Sequence, residues 1–185
     1  MQYLKIVILP ILFLLGYVAY FNINLYQSTL LISKSAQSLK DFEFDSAMDQ
    51  SKTSITLSPN NADAHSNRGY IYGILWIFRK EDQYKKEMDA SFEKATSLTI
   101  NNAVYYYKWA AIYADSGKYE DALQKIEQAI KTDPNAGAYY NEKAVYLEAL
   151  GRKKEALQMY QQAYDLSKAA IILPNINRLK EELHE

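Results

Sequence analysis

The sequence predicts an all-α protein, in which a solenoid of repeated helix pairs follows one apolar helix at the N-terminus. Two observations lead to this fold class. Small, large apolar and glycine residues recur in the same order, with Ala110 and Ala144 marking a period of 34 positions. Short amphipathic helices at such a period are typical of α-solenoids. An uninterrupted apolar run at residues 6–21 opens the chain, so we expect two parts with different surroundings.

The repeat is clearest in the second half of the chain, where two frames align residue by residue. In each frame a small and a large residue lie in a first helix, glycine marks the turn, and small and large residues alternate in a second helix. The first frame contains Ala110, Tyr113, Gly117, Tyr119, Ala122, Ile126, Ala129 and Pro134, and the second contains Ala144, Leu147, Gly151, Lys153, Ala156, Tyr160, Ala163 and Lys168. Small residues let two helices approach closely, and large ones fill the remaining space.

This pattern resembles that of tetratricopeptide repeat (TPR) proteins. The resemblance implies an array at residues 28–168 of about four helix-turn-helix repeats, followed by a C-terminal capping helix at residues 169–185. The expected repeat boundaries are 28–61, 62–102, 103–136 and 137–168. The second repeat exceeds the 34-residue period by seven residues, with the extra residues within 73–87. Seven residues make about two helical turns, so we expect longer helices with an unchanged buried face.

The apolar run predicts a transmembrane signal anchor at residues 1–27. With its flanks the run reaches about twenty residues, which is enough for the ~30 Å hydrocarbon core of a bilayer. A collar of aromatic residues is expected at the far interface, formed by Tyr17, Tyr20, Phe21 and Tyr26. A cleaved signal peptide is the rival interpretation, because one lysine precedes a short apolar core. A buried helix of a soluble protein is the third.

The orientation of the anchor follows from the few charges around it. Lys5 and the α-amino group precede the span, whereas Lys34 and Lys40 come well after it and close to acidic residues. This bias favours a cytoplasmic N-terminus and an extracytoplasmic array in a single-pass membrane protein. A cytosolic array on a reversed anchor is the alternative.

The composition gives little support to catalysis or to nucleic-acid binding. A formal net charge of −1 provides no basic surface for nucleic acid. The chain has no cysteine, hence no disulfide framework and no thiolate metal site. His65 and His184 are far apart in sequence, and neither has a zinc-binding spacing. We therefore expect a protein that is not an enzyme and has no catalytic residues, cofactor or metal.

A binding surface is the remaining functional expectation. The TPR resemblance implies that the first helices line a concave groove for an extended or helical peptide. The groove positions carried over are Asn67, Tyr70, Tyr107, Lys108, Asn141 and Glu148. Tyr70 and Tyr107 are the expected anchors, because aromatic side chains give a large contact area at low entropic cost. The alternative for Tyr107 is that it packs sideways on its neighbouring helix.

The insertion carries an apolar cluster at residues 74–78, followed directly by charged residues. Standard repeats end their first helix before this point. We therefore expect Trp76 and Phe78 to project beyond the array as a second partner-binding surface. The alternative is that two lengthened helices pack these side chains on each other.

These features predict a membrane-tethered protein–protein interaction scaffold. It would recruit or organise subunits of a membrane or envelope complex through its TPR groove. The alternative is an assembly or regulatory chaperone that holds secreted or surface client proteins transiently. In both cases the partners are other proteins, and the N-terminal helix provides the contact with the membrane.

Overall fold

The computed structural model describes residues 2–184, with side chains from residue 9 onward. Met1, Glu185 and the side chains of residues 2–8, which include Lys5 and the start of the predicted span, lie outside the described part. Within that part the fold is all-α, as predicted. Its elements are α1 Gln2–Lys40, α2 Phe44–Leu57, α3 Ala62–Arg79, α4 Asp82–Leu98, α5 Ala103–Asp115, α6 Tyr119–Thr132, α7 Gly137–Ala149, α8 Lys153–Ser167, a 3-10 turn Ala170–Ile172 and α9 Leu173–Leu183.

The helices form pairs because short turns connect them. Turns of two or three residues link α1 to α2, α3 to α4, α5 to α6 and α7 to α8, so the two helices of each pair run antiparallel in contact. At two of these turns Gly117 and Gly151 adopt left-handed φ angles of 80° and 76°. Glycine has no Cβ to clash in that conformation. The predicted turn glycines are therefore confirmed.

Small residues occupy the helix crossings, as the repeat pattern predicts. Five of the alanines at these positions are fully buried, namely Ala95, Ala110, Ala129, Ala144 and Ala163. A Cβ on Gly69 would lie 2.8 Å from the ring of Phe92, and one on Gly73 would lie 2.6 Å from Ile112. Both distances are shorter than a normal carbon–carbon contact, so α3 approaches its neighbours more closely than alanine would allow.

The insertion lengthens both helices of the second pair. α3 has 18 residues and α4 has 17, compared with 13 in α5 and 14 in α6. Trp76 is only 7% exposed and packs edge-to-face on Tyr113, with 5.8 Å between the ring centroids. The prediction that Trp76 projects from the array is wrong, because the longer α3 packs against α5 and buries this ring. Phe78, two positions later, is 62% exposed.

α1 joins two parts that the sequence analysis separates. The predicted anchor at residues 1–27 and the first helix of the repeat at 28–61 belong to one helix of 39 residues. At 1.5 Å per residue this helix is about 58 Å long. Residues 9–20 are all exposed. Within the described residues, α1 is the one helix long and apolar enough to cross a membrane, a criterion that an N-terminal signal sequence also meets.

The second half of α1 is held against α2 mainly by hydroxyl groups. The buried Oγ atoms of Ser28 and Ser54 lie 2.9 Å apart, and Ser35 Oγ donates to the carbonyl oxygen of Ala47 at 2.9 Å. Asn61, which caps α3 through Oδ1, also donates from Nδ2 to Ser28 Oγ at 3.1 Å. These small side chains let the helices approach closely, and their hydrogen bonds satisfy buried polar atoms. The apolar helix is thereby fixed to the start of the array.

α9 covers the end of the solenoid, as a capping helix is expected to do. Ile176 and Leu179 of α9 are buried in the main hydrophobic core. Arg178 of the same helix forms an ion pair with Glu148 of α7 at 2.7 Å. Lys153 at the start of α8 pairs with Glu182 at 2.9 Å. Apolar burial and peripheral ion pairs together attach the cap to the last repeat.

A polar network around Asp89 joins α4 to α5. Asp89 Oδ1 accepts hydrogen bonds from Trp109 Nε1 at 2.8 Å and from the Tyr113 hydroxyl at 2.7 Å. Its Oδ2 accepts from Lys85 Nζ at 2.9 Å. Burial lowers the pKa of Lys85, but hydrogen bonds to Asp89 and Tyr113 more than offset this and raise it above its ordinary value. For the Tyr113 hydroxyl, burial acts in the opposite direction and is the main cause that raises its pKa to about 12.

Replacing Asp89 with alanine should destabilise the fold by about 2 kcal/mol, because three partly buried donors would lose their acceptor. The measurement is urea unfolding followed by circular dichroism, in a variant that lacks residues 1–20. Glu93 lies one turn further along α4 and is exposed, so Glu93→Ala is the matched control and should change stability by less than about 0.5 kcal/mol. Equal losses in the two variants would contradict the importance of the network.

Candidate functional site

The first helices of three repeats enclose an open cleft of about 330 Å³, here called the groove cleft. Its walls come from α1, α3 and α5, and its lining residues are Thr29, Ile32, Ala36, Asp63, Asn67, Tyr70 and Lys108. Three of the predicted groove residues, Asn67, Tyr70 and Lys108, therefore lie together. Because the cleft lies between successive first helices, it occupies the face where a TPR groove is expected.

The three predicted residues in the groove cleft are available to a partner to different degrees. Tyr70 is 42% exposed, and Lys108 is exposed as well. Asn67 is almost buried, and its Nδ2 donates to Ser35 Oγ of α1 at 3.0 Å. Asn67 therefore positions α1 against α3, whereas Tyr70 and Lys108 present free contact surface.

Asp63 contributes to the same cleft but already has a partner. Its Oδ1 accepts a hydrogen bond from the Tyr105 hydroxyl at 2.9 Å. Burial, and after it this hydrogen bond, raises the pKa of Tyr105 to about 12. The phenol thus stays protonated at neutral pH and continues to donate to Asp63. Lys108 is the cation of this cleft that is open to an incoming group.

A second cleft of about 250 Å³, here called the phenylalanine cleft, continues the first toward the end of α3. It is lined by Ala36, Leu39, Lys40, Phe42, Tyr70, Ile74 and Phe78. Ala36 and Tyr70 line both clefts, so the two are adjacent and share part of their walls. The rings of Phe42, Phe44 and Phe78 lie within 6.0 to 6.4 Å of one another in edge-to-face arrangements. Phe78 thus belongs to an aromatic cluster on the surface.

Sequence analysis did not identify Phe42 as a site residue. Phe42 is 68% exposed and has a φ of 61°. It lies two residues before Phe44, as Gly117 lies two before Tyr119 in a later repeat. Both turns are closed by the same kind of backbone bond, Glu43 N to Ser38 O at 2.8 Å and Lys118 N to Tyr113 O at 2.9 Å. Phe42 thus occupies a glycine position of the repeat, and alignment of the turns could have revealed it.

Tyr107 lies on α5 and Asn141 lies on α7. Neither residue lines the groove cleft or the phenylalanine cleft. The Tyr107 ring is half-buried beside the ring of Tyr139, with 5.7 Å between the centroids. This is the sideways packing that the alternative interpretation of Tyr107 required. Asn141 lines a separate cleft of about 230 Å³ between α7, α8 and the 3-10 turn. The predicted groove residues are therefore not one continuous set.

Glu148 faces the capping helix. Its carboxylate pairs with Arg178 at 2.7 Å and accepts a hydrogen bond from the Tyr160 hydroxyl at 3.3 Å. Burial, followed by the charge of Glu148, raises the pKa of Tyr160 to about 12. Glu148 thus connects α7 to α8 and α9, and its carboxylate is engaged by partners within the chain.

The groove side of the later repeats is acidic and aromatic. Burial, then the nearby charge of Asp115, raises the pKa of Glu142, and a hydrogen bond from Tyr146 only partly offsets this. Burial, then the charge of Glu142, raises the pKa of Tyr146. Within residues 2–184 no group of three or more histidine or carboxylate side chains is arranged to hold a metal ion.

The described residues fold as an α-solenoid, and this fold is similar to that of tetratricopeptide repeat proteins. Residues 107–171 match the family model named Tetratricopeptide repeat. The solved structure described as Functional Characterization of Pseudomonas aeruginosa pilF superposes with a TM-score of 0.68 at 14% identity, covering 87% of this chain and 71% of that one. YrrB, described as a TPR protein with an unusual peptide-binding site, gives a TM-score of 0.57 at 17% identity, covering 83% and 76%. At these identities the likeness establishes the fold.

A similarity in sequence points to the same repeats. The chain is 30% identical over 83 residues to Small glutamine-rich tetratricopeptide repeat-containing protein 2 of Mycosarcoma maydis. The match covers 45% of this chain and 24% of the relative, so this chain spans about a quarter of that relative's length. TPR-type repeats are thus supported by the sequence match and the fold. Such solenoids present extended concave surfaces for binding.

Replacing Glu142 with glutamine should stabilise the protein at neutral pH. Because the folded-state pKa lies above the ordinary glutamate value of 4.5, the unfolded chain releases this proton first. The free energy of unfolding therefore falls as pH rises from that value through the raised pKa. Thermal unfolding should show a higher Tm for Glu142→Gln at pH 7 and no difference near about pH 4. The exposed control Glu93→Gln should be neutral at both. A gain that does not depend on pH would contradict this origin.

Proposed function

We propose that this chain is a membrane-tethered scaffold that binds a peptide segment of a partner protein along α1 and α3. The observation that carries the proposal is that the groove cleft and the phenylalanine cleft lie side by side and share Ala36 and Tyr70. The joined clefts give an open path along the first two repeats. A peptide is a better fit than a small molecule, because the path is long and open at its side.

The lining of the joined clefts defines the chemistry of the segment. Their walls are mostly apolar, with Ile32 and Ile74 among the lining residues. Lys108 lies in the groove cleft and Lys40 in the phenylalanine cleft. A segment with apolar side chains and acidic groups matches this arrangement, because each cleft contains one lysine, while the Asp63 carboxylate of the groove cleft already accepts a hydrogen bond from Tyr105.

The exposed ring of Phe42, more than its backbone, supports a binding role for the aromatic cluster, because Lys80, Lys168 and His184 adopt similar left-handed φ angles at helix ends. A left-handed conformation costs a non-glycine residue roughly 1–2 kcal/mol, and an exposed phenylalanine ring adds unfavourable apolar surface. Gly117 satisfies the corresponding turn without either cost. Unfavourable backbone conformations persist at functional sites, and burial of Phe42 and Phe78 against a partner would offset both costs.

The tether of this proposal is the first half of α1. Residues 9–20 are exposed and apolar, and nothing in the array covers them. In a bilayer these residues would be buried, with about twenty residues crossing the hydrocarbon core. The charge bias around the run supports a cytoplasmic N-terminus and an extracytoplasmic array. The scaffold would then recruit its partner at the membrane surface, as one subunit of a membrane or envelope complex.

The relatives support peptide binding in this fold. YrrB is described as having an unusual peptide-binding site, and its helices superpose on most of this chain. In the present protein, we assign peptide binding to the joined clefts, because they form the open part of the groove. Tyr107, Asn141 and Glu148 contribute less to this proposal, since their side chains line other surfaces or have partners within the chain.

Tyr70→Ala and Phe78→Ala should each weaken partner binding, because truncation of an aromatic anchor typically costs about 2 kcal/mol. This corresponds to about a thirtyfold loss in affinity. The measurement is co-purification of partners with the full chain in mild detergent, followed by quantitative mass spectrometry. Gln124→Ala and Gln128→Ala are matched controls, since both side chains are exposed on the second helix α6.

The stoichiometry of recovery distinguishes the two functions considered for this fold. A scaffold should recover the same partner at a fixed ratio, and both aromatic variants should lose it while the glutamine controls retain it. A chaperone should recover many clients at variable ratios. Unchanged recovery in Tyr70→Ala and Phe78→Ala would contradict binding at the joined clefts.

A further inference from the structure

The direction of the helices places all loops between repeats on one edge of the solenoid. Each pair begins with a helix that runs away from this edge and ends with one that returns to it. α1 is the first helix of the first pair, so its apolar half leaves the array at this same edge. The loops concerned are residues 58–61, 99–102 and 133–136. This edge, here called the span edge, faces the membrane if α1 crosses it.

Contacts of α1 show at which residues of the apolar helix the span edge lies. Phe21 and Leu25 line a cleft of about 290 Å³ together with Thr99 and Tyr105. The loop between α4 and α5 therefore lies at the level of Phe21. A span of about twenty residues that begins near the start of α1 ends close to Phe21, where aromatic side chains lie at the membrane–water interface.

The loop between α4 and α5 has the chemistry of a surface that meets lipid. Residues 99–102 read Thr-Ile-Asn-Asn, and the neighbouring loop 58–61 reads Ser-Pro-Asn-Asn, so both are uncharged. Ile100 is 80% exposed, although it is a large apolar residue. An uncharged loop loses little solvation in a headgroup layer, whereas an exposed isoleucine gains by leaving water.

The opposite edge of the solenoid has a different composition. The turns at residues 41–43, 80–81, 116–118 and 150–152 each contain at least one charged residue. Along the span edge, the loop at 133–136, which lies one repeat further from α1, contains Asp133. Among the loops, absence of charge is thus confined to the two beside the apolar helix. The carboxylate nearest to them, that of Asp63 in the first turn of α3, lines the same cleft as Phe21 and accepts a hydrogen bond from the Tyr105 hydroxyl.

We propose that the α4–α5 loop is a second membrane contact, with Ile100 inserted at the boundary between headgroups and acyl chains. The inference rests on the proposed tether and adds to it. A single helix would leave the array free to tilt about α1, whereas a second contact at Ile100 restricts that tilt. The joined clefts would then face a fixed direction along the membrane surface, ready for partners that are themselves in or near the membrane.

The chain has no cysteine, so single-cysteine variants of the full protein can carry one fluorophore each. The protein is reconstituted in zwitterionic phospholipid vesicles with nitroxides either at mid-chain or near the headgroups. Leu15→Cys reports on the span, Asn101→Cys on the loop and Lys118→Cys on the opposite edge. We expect strong quenching by mid-chain nitroxides at position 15, strong quenching by shallow nitroxides at position 101, and little quenching at position 118.

A further variant tests whether the isoleucine itself makes the contact. With the fluorophore at Asn101→Cys, Ile100→Asp should reduce quenching by shallow nitroxides to the level at position 118, because a carboxylate resists transfer from water. Ile100→Leu should retain the quenching.

The outcomes separate the tether from the loop contact. Quenching at position 15 without quenching at position 101 would overturn the loop contact and leave the tether in place. No quenching at position 15 would overturn the tether, and with it the inference. Quenching at position 101 that is equal in Ile100→Asp and Ile100→Leu would show that the loop approaches lipid without using Ile100.

Discussion

The structure depends on α1 being one continuous helix, whose Pro10 lies near its start and away from the part that packs on the array. The first part of this helix is exposed and apolar, and the second part is the first helix of a repeat. Between Gly16 and Lys40 the sequence contains neither glycine nor proline, so no residue in this stretch favours a break. Ser28 and Ser35 fix its second half to α2. A helix with no hinge couples the orientation of the array to that of its apolar end.

The four helix pairs share a fold but differ in how much of their groove surface is open. In the later repeats Tyr107 packs beside Tyr139, and Glu148 pairs with Arg178. In the earlier repeats Tyr70 and Phe78 remain exposed along two adjacent clefts. The later repeats and the cap provide most of the main hydrophobic core, and the Asp89 network connects α4 of the second repeat to α5 of the third. The earlier ones, next to the apolar helix, provide the surface that a partner can reach.

The sequence predicted those features that follow from backbone geometry and residue size. Gly117 and Gly151 mark turns because only glycine adopts their φ without cost, and Ala110 and Ala144 mark crossings because larger residues would separate the helices. Trp76 could not be placed in this way, since its burial depends on how far the lengthened α3 packs over α5. The pairing of Glu148 with α9 likewise depends on the docking of a distant helix.

Site residues were predictable where the repeat pattern determines on which face of a helix a side chain lies. They were less predictable where packing of neighbouring side chains determines whether that side chain is exposed. Asn67, Tyr70 and Lys108 lie in one cleft because they share the groove face of α3 and α5. Phe42 was missed because the frame was aligned on small residues in helices, and its turn has phenylalanine where glycine is expected. The importance of Phe42 became visible only from its positive φ and the exposed ring beside Phe78.

The rigid connection between the apolar helix and the array can be measured as a distance. Spin labels at Leu15→Cys and Lys40→Cys in the full chain are 25 positions apart in α1, and an unbroken helix separates them by about 38 Å. Double electron–electron resonance in lipid nanodiscs should give one narrow distribution near that value, widened only by the label side chains. A broad distribution, or one centred at a clearly shorter distance, would show a hinge in α1 and contradict the account.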